Sequence, residues 1–466
     1  MILELRNKIL LKFNNNFYFE YIIPFVFVAF GIIGWQFGFI FGVVPTVILS
    51  AILMILFDKF KYSIPAILVL LFSISTGFTI EDFPYGIVIP IAIYVLFVLV
   101  FSIRKFNKAR LHNIKSIVGM SILSIGFIIP IFWVSVINKS NSIFYVMYFS
   151  WLIYTLVYIV LCINLENDSF KTITFSFSTL ALLLSYELFV TVLKWHIENP
   201  NENIFSFWGY IGWGLCNEAG IVLCFIIPFI FYELIKANTY KLSIITLLKL
   251  FIAFGGIILT TSRGSFVCAA IEGISLFIVL LISKNNHKFF KLSTFLTIVL
   301  LAIAFICIKF NLIDVLKSIR DKIFDNEFGF LNGRDVKWNA GAAVWMNSYR
   351  NIFFGSGIVS ELTETIVFDK LQYSFIVYHS TTMEVLVSAG VIGLIGLGIH
   401  FAEKYKMLLS KDKLFIIVFG VGYLMVDLYG LIDNTYGMYY YMVPLCIMMA
   451  TINNCSDTEL FKNNEL

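Results

Sequence analysis

Apolar residues follow one another in long runs along almost the whole chain, and short polar stretches separate these runs. Most runs are roughly 15 to 23 residues long, the length that a helix needs to cross ~30 Å of hydrocarbon. A strand would leave its backbone groups without partners in lipid, so the runs indicate helices. The pattern predicts fourteen spans, at residues 21–36, 38–57, 63–79, 86–103, 116–137, 143–164, 173–194, 219–235, 242–260, 266–282, 292–310, 380–401, 413–431 and 437–452.

The composition leads to the same class of protein. Of the 466 residues, 60% are hydrophobic and 13% are charged, whereas soluble domains carry about 25% charged residues. We therefore predict an all-α, polytopic transmembrane helix bundle with a large outward-facing loop that carries short amphipathic helices. The expected organisation is spans 1 to 11 in residues 1–310, the extracytoplasmic loop in 311–378, and spans 12 to 14 with a short cytoplasmic tail in 379–466.

Lysine and arginine collect in alternate loops, and loops rich in these residues usually face the cytoplasm. The rule places both termini inside, together with Arg6, Lys8 and Lys12, the basic cluster 104–115, and a late loop that begins with Lys404. The two longest polar segments, 196–218 and 311–378, then lie outside. Seven scattered cysteines form no CxxC pair, so we interpret them as packing residues.

A first candidate site is the tight turn at residues 260–265, which carries Arg263 between two spans. An outward arginine runs against the charge rule, and its planar guanidinium suits bidentate binding of phosphate. The alternative is an interfacial arginine that reaches the lipid headgroups.

A second candidate is the start of an amphipathic helix in the large loop, with Asn332 as its N-cap. At 3.6 residues per turn, Arg334, Trp338, Gly341 and Trp345 share one face. A cation, two aromatic rings and a glycine on one face suit a ligand with polar and sugar parts. The alternative is a helix that lies on the bilayer with its tryptophans at the interface.

A third candidate is His379, with Glu384 five residues later at the start of a glycine-rich span. Histidine moves protons near neutral pH, although a lone histidine at a helix start is more often structural. The charge rule puts Arg263, Arg334 and His379 on one side of the membrane. Three acids within spans either balance the arginines or have a function of their own; these are Glu187, Glu272 and Asp427.

In this order, the motifs resemble the conserved core of the O-antigen ligase and O-antigen polymerase superfamily. They are residues 262–264 (Ser-Arg-Gly), residues 333–338 leading to 351–357, and residues 379–384 with the span that follows. The family's usual third motif is His-Asn-x-x-Leu-Glu, and here Ser380 and Met383 replace its asparagine and leucine. The second motif usually has a proline where this chain has Phe354. These departures indicate a diverged member, and the resemblance covers roughly residues 245–400.

The resemblance implies a glycosyltransferase of the bacterial cytoplasmic membrane, with its active site facing outward. Its partners would be an undecaprenyl-pyrophosphate-linked glycan donor, a glycan acceptor and the bilayer, with a chain-length regulator and a flippase as further candidates; nucleic acid is not expected. Arg263 and Arg334 would bind the pyrophosphate, and His379 would accept a proton from the acceptor hydroxyl or orient it. Glu384 would hold the imidazole, and Trp338 and Trp345 would contact glycan.

No cofactor or metal is expected, because the sequence contains no GxxxxGK[ST] loop, no HExxH and no cysteine–histidine cluster. Polymerisation of repeat units into O-antigen, capsule or exopolysaccharide is the preferred reaction. Ligase-type transfer of the glycan to another acceptor remains open. A flippase or transporter is a further alternative, although it predicts an internal repeat that the sequence does not show.

Overall fold

The computed structural model describes residues 17–73, 85–106, 108–111, 114–133, 148–202, 207, 209, 211, 216–282, 290–292, 294, 296, 334–357, 366–368, 371–373 and 378–455. Helices account for most of them: α1 Phe17–Phe37, α2 Phe39–Phe57, α3 Ile64–Ser73, α4 Tyr85–Arg104, α5 Lys108–Leu111, α6 Val118–Ile128, α7 Ser150–Asn164, α8 Ser169–Glu198, α9 Cys216–Lys236, α10 Tyr240–Leu259, α11 Arg263–Ile282, α12 Arg334–Met346, α13 Tyr349–Phe354, α14 Thr381–Leu408, α15 Lys413–Tyr429 and α16 Tyr439–Asn454. Short 3-10 helices at Phe60–Ser63 and Ile129–Phe132 adjoin α3 and α6. Strands β1 (Ile366–Phe368) and β2 (Leu371–Tyr373) form an antiparallel hairpin.

Seven of the described helices are long and apolar enough to cross a membrane: α1, α2, α8, α9, α10, α11 and α14. Four shorter apolar helical segments accompany them, and the whole fits a multi-pass membrane protein. The predicted helical bundle is confirmed in this coarser form, with the small hairpin as an addition. The number fourteen is not established. The predicted span 292–310 falls mostly outside the described residues, as do Arg6, Lys8 and Lys12.

The glycine-rich helix α14 packs closely against α6. A Cβ added at Gly396 would lie 3.0 Å from the Leu123 nitrogen, and one added at Gly126 would lie 3.5 Å from the Gly393 Cα. Small residues let membrane helices approach each other in this way. Gly393 and Gly396 thus allow close packing, whereas Gly398 faces open space.

Gly390 interrupts α14, with φ 64° and ψ −160°. Glycine adopts this conformation without the steric cost that a side chain would bring. The interruption frees backbone carbonyls, and the segment after α13 uses two of them. The Ser356 amide donates to the Val387 carbonyl at 2.7 Å, and the Gly357 amide donates to the Ser388 carbonyl at 3.2 Å. Backbone hydrogen bonds thus attach the segment that follows α13 to α14.

A fully buried ion pair joins four helices of the bundle. The Lys249 ammonium lies 3.1 Å from a Glu233 carboxylate oxygen and donates to the Ser178 hydroxyl at 3.0 Å. Tyr21 and Thr246 donate to the same carboxylate at 3.1 and 2.9 Å. We call these five residues the Lys249 cluster. Its charges are balanced and its hydrogen bonds satisfied, as buried ions require.

Two expectations about charged residues are wrong. Lys404, expected in a cytoplasmic loop, lies on α14, which continues to Leu408, and its side chain is fully buried. Its ammonium pairs with Asp427, so that acid balances a lysine and not an arginine. Glu187 and Glu272 are buried too, and neither Glu272 carboxylate oxygen has a hydrogen-bond partner in the part of the chain that the structure describes.

Candidate functional site

Four segments that are far apart in the sequence meet at one place. They are the start of α11 with Arg263, the start of α12 with Arg334, the residue His379 just before α14, and the connection Gly430–Met438 between α15 and α16. We call this connection the Asp433 loop. The structure therefore brings the three sequence motifs together, and it adds a fourth segment that sequence reasoning did not include.

Asp433 is the centre of the site. Its carboxylate contacts the His379 Nδ1 at 3.2 Å and the Arg334 Nη2 at 3.5 Å, and it accepts a hydrogen bond from the Tyr429 hydroxyl at 3.2 Å. The Asn434 amide donates to it at 2.9 Å. Burial raises the pKa of Asp433, but the His379 hydrogen bond and the Arg334 charge outweigh burial, so the pKa lies below its usual value. Asp433 is therefore an anion at neutral pH.

The backbone holds His379 in an uncommon conformation, with φ at 50°. This conformation raises the conformational energy of any residue other than glycine, so surrounding contacts must maintain it. Those contacts converge on its neighbour Tyr378. The Trp338 Nε1 donates to the Tyr378 carbonyl at 2.9 Å, and the Tyr378 amide donates to Glu384 at 3.5 Å. Gly341 lies against the Tyr378 ring, where a Cβ would come within 2.7 Å of a ring carbon.

The hydrogen bond that the structure shows at the His379 Nδ1 is with Asp433. Glu384 accepts hydrogen bonds from the Tyr378 amide and from the Ser388 hydroxyl, the latter at 3.4 Å, and lies within electrostatic range of His379. The expectation that Glu384 holds the imidazole stays a prediction. Glu384 supports the backbone that carries the histidine.

The Arg263 motif reaches the site through Tyr429. The Tyr429 hydroxyl lies 3.4 Å from the Ser262 Oγ, and Gly264 lies so close to the Tyr429 ring that a Cβ would come within 2.2 Å. The Arg263 guanidinium is within electrostatic range of Arg334. A side chain at position 264 would therefore push this motif away from the site.

Lys337, one turn after Arg334, adds a third cation. Its side chain is half-buried and lies within electrostatic range of both Arg334 and Asp433. Burial and the repulsion from Arg334 lower the pKa of Lys337, against the opposing effect of Asp433. Like charges held this close repel each other, and a bound anion would relieve the repulsion.

The face of α12 that the sequence predicted is used for contacts within the protein. Trp338 binds the Tyr378 carbonyl, and the Trp345 Nε1 donates to the Ile352 carbonyl at 3.1 Å. Both indole nitrogens are therefore occupied, although the rings remain partly exposed. The expected N-cap Asn332 lies outside the described residues.

Sequence reasoning missed Asp433, Tyr429 and Lys337. A signal for Asp433 was present, because the turn after the predicted span 413–431 lies on the same side as His379 under the charge rule. The sequence reasoning took only acids inside predicted spans as candidates, and Asp433 lies just after the span 413–431. Within the described ranges, no group of three histidine, cysteine, aspartate or glutamate side chains is placed to hold a metal ion.

The chemistry of the arrangement follows from its charges. If His379 donates from Nδ1 to Asp433, its Nε2 is left as a base, and its side chain is about one-third exposed. Arg334 and Lys337 sit beside that base and favour a negatively charged group. The site thus pairs an imidazole with a cationic surface, an arrangement that suits proton transfer beside a bound anion.

Residues 248–398 match the family model described as O-antigen ligase. The match confirms the resemblance to the O-antigen ligase and polymerase superfamily, and it includes Arg263, Arg334, His379 and Glu384. Asp433 and Tyr429 lie beyond it. No curated protein matches the chain.

Proposed function

We propose that this chain, with its O-antigen ligase-type segment, is a membrane glycosyltransferase that polymerises undecaprenyl-pyrophosphate-linked repeat units into a surface polysaccharide. The reaction would take place on the outer face of the bacterial cytoplasmic membrane. The observation that carries the proposal is the bridge formed by Asp433, which joins the base His379 to the cation Arg334.

In the proposed reaction, a hydroxyl of the acceptor sugar attacks the anomeric carbon of the donor glycan. The new glycosidic bond forms as the bond between that carbon and the phosphate oxygen breaks. His379 Nε2 takes the hydroxyl proton, and Asp433 stabilises the imidazolium that results. The undecaprenyl pyrophosphate leaves with the electron pair of the broken bond.

Arg334, Arg263 and Lys337 have the charge to stabilise that leaving group. Negative charge grows on the pyrophosphate as the bond breaks, so cations already in place favour the transition state over the ground state. Arg334 is held loosely by Asp433, at 3.5 Å, whereas strong charge-assisted hydrogen bonds measure about 2.7–2.9 Å. Within the part of the chain that the structure describes, its other guanidinium nitrogens make no hydrogen bond, which supports their use in binding a phosphate group.

The test is incubation of the purified protein with undecaprenyl-pyrophosphate-linked repeat units, without added nucleotide or metal. A glycan ladder is expected from the wild type. Removing one preorganised donor or the base costs about 10²–10³ in turnover, so Arg334→Ala and His379→Ala should abolish the ladder.

Two matched variants control for the loss of an arginine or a histidine. Arg350 lies on α13 over the Trp133 ring, 5.2 Å from its centroid, and His196 lies near the end of α8. Neither residue touches Asp433, so Arg350→Ala and His196→Ala should retain the ladder. Normal turnover in well-folded Arg334→Ala and His379→Ala would refute the proposed site.

Ligase-type transfer is the second candidate, because the matching family model carries that description. It predicts no ladder from repeat units alone and transfer of the glycan once a suitable acceptor is supplied. The same Arg334 and His379 variants should lose that transfer. If neither product forms and lipid-linked glycan instead crosses vesicle membranes, the transporter alternative takes the place of both.

A further inference from the structure

A second buried ion pair lies next to the Asp433 loop. The Lys404 ammonium donates to the two Asp427 carboxylate oxygens at 2.8 and 2.7 Å and to the Tyr436 hydroxyl at 2.5 Å. Two tyrosine hydroxyls donate to the same carboxylate, Tyr436 at 2.7 Å and Tyr405 at 2.6 Å. We call these four residues the Lys404 cluster.

Aromatic rings surround the ammonium of this cluster. Lys404 Nζ lies 4.7 to 5.3 Å from the centroids of four rings, those of Phe401, Tyr405, Tyr423 and Tyr436. A cation removed from water is attracted to the negatively charged faces of aromatic rings. The ammonium is therefore held in one position by a carboxylate and by rings from several elements.

The cluster connects directly to the Asp433 loop. Tyr436 belongs to that loop, three residues after Asp433, and its ring is parallel to the Trp151 ring within 7°. Because the Tyr436 hydroxyl is bonded to both Lys404 and Asp427, this end of the loop cannot shift without breaking two short hydrogen bonds.

Thr381 fixes the same loop to the segment that carries His379. The Thr381 amide donates to the Gly430 carbonyl at 2.8 Å, and the Thr381 Oγ1 accepts from the Thr435 amide at 3.1 Å. Thr381 is two residues after His379. The loop is thus held at Gly430 and Thr435 by Thr381, and at Tyr436 by the Lys404 cluster.

We propose that the Lys404 cluster is a positioning device that holds the Asp433 loop so that the Asp433 carboxylate meets the His379 imidazole. The role in catalysis rests on the proposed function, whereas the effect on the His379–Asp433 contact does not. The cluster acts through Tyr436, and its residues do not touch the substrate.

The chain offers a matched pair of substitutions for the test. Tyr436→Phe and Tyr405→Phe each remove one hydroxyl from Asp427, and Tyr436→Phe also removes the acceptor of one Lys404 hydrogen bond. Only Tyr436 lies in the Asp433 loop, whereas Tyr405 lies on α14. Thermal unfolding of both variants measures the loss of stability separately, so a difference between the folded proteins in the two readouts below reports positioning.

The first readout is the ¹⁵N NMR signal of His379 Nδ1 in histidine-labelled protein, assigned with His379→Gln. The hydrogen bond to Asp433 should shift that signal in the wild type and in Tyr405→Phe. In Tyr436→Phe the signal should move toward the value found in Asp433→Asn. If Tyr436→Phe keeps the wild-type signal, the proposal is overturned, whatever reaction the protein catalyses.

The second readout is turnover of the lipid-linked donor. Misplacing a catalytic group by about 1 Å can cost up to 10²-fold, so Tyr436→Phe should lower kcat about tenfold with little change in KM. Tyr405→Phe should stay within about twofold of the wild type. In an Asp433→Asn background Tyr436→Phe should have little further effect, because the group it positions is already gone. Additive losses in that double variant would contradict positioning through Asp433.

Discussion

The Asp433 site and the Lys249 cluster handle charge in opposite ways. In the Lys249 cluster, one ammonium meets one carboxylate, both side chains are at most 1% exposed, and their oxygens and nitrogens lie 3.1 Å apart. At Asp433, one carboxylate is shared by His379 and Arg334, whose side chains are 32% and 21% exposed. The first arrangement is closed to ligands, and the second is open.

The difference distinguishes a structural use of ions from the ligand-binding use that we propose for the Asp433 site. A buried pair must be balanced, because an uncompensated charge in a low-dielectric interior is costly. A site that binds an anion keeps cations together before the anion arrives, and partial exposure to solvent lowers the cost of their repulsion. Substitutions in the Lys249 cluster should therefore lower stability, whereas substitutions at the Asp433 site should lower turnover.

The largest effect is expected on stability, from Lys249→Met. The substitution leaves Glu233 buried without its counter-ion, which costs about 3–5 kcal/mol of unfolding free energy. Thermal unfolding in detergent should show the loss, while turnover per folded molecule stays near the wild-type value. The double variant Lys249→Met/Glu233→Gln removes both charges and should recover part of the stability. Unchanged unfolding of the single variant would contradict the structural role.

The next effect is expected on catalysis, from Asp433→Asn. The amide cannot stabilise the imidazolium as the carboxylate does, so turnover should fall about 100-fold. The unfolding temperature should change much less than in Lys249→Met, because the site is partly exposed. Asp335→Asn, at an exposed acid in the first turn of α12, is the matched control and should keep full turnover. Equal turnover of the two asparagine variants would remove Asp433 from the mechanism.

The smallest effect concerns pH. The folded-state pKa of Asp433 lies below the unfolded value of about 3.9, so its ionisation stabilises the fold above that value. This contribution, about 1 kcal/mol or less for a partly exposed site, is lost only as pH falls through the lowered pKa. Below pH 5 histidine side chains are normally protonated, so the difference in unfolding temperature between wild type and Asp433→Asn should stay constant from pH 5 to about 4 and change below that. A difference that already changes between pH 5 and 4 would contradict the lowered pKa.

Much of the site was present in the sequence as separate motifs. Arg263, Arg334 and His379 were each identified from charge, helix periodicity and position at a span end, and the structure brings all three to one place. The charge rule places Asp433 on the same side as these residues, but no local pattern indicates its contacts, which are with residues 99 and 54 positions away. Glu384 was expected beside the imidazole from the family resemblance, and the structure shows Asp433 hydrogen-bonded there.

The sequence by itself indicated a multi-pass helical membrane protein, since the length and apolarity of a run are local properties that lipid selects directly. It also indicated the superfamily, through three short motifs in order. Tertiary structure alone decided that Lys404 is buried against Asp427, that Gly390 opens α14 for the loop after α13, and that Asp433 faces His379. The physical reason is that the partner of a buried charge depends on how helices from distant parts of the sequence pack together. The local sequence of one segment does not indicate which distant segment will contact it.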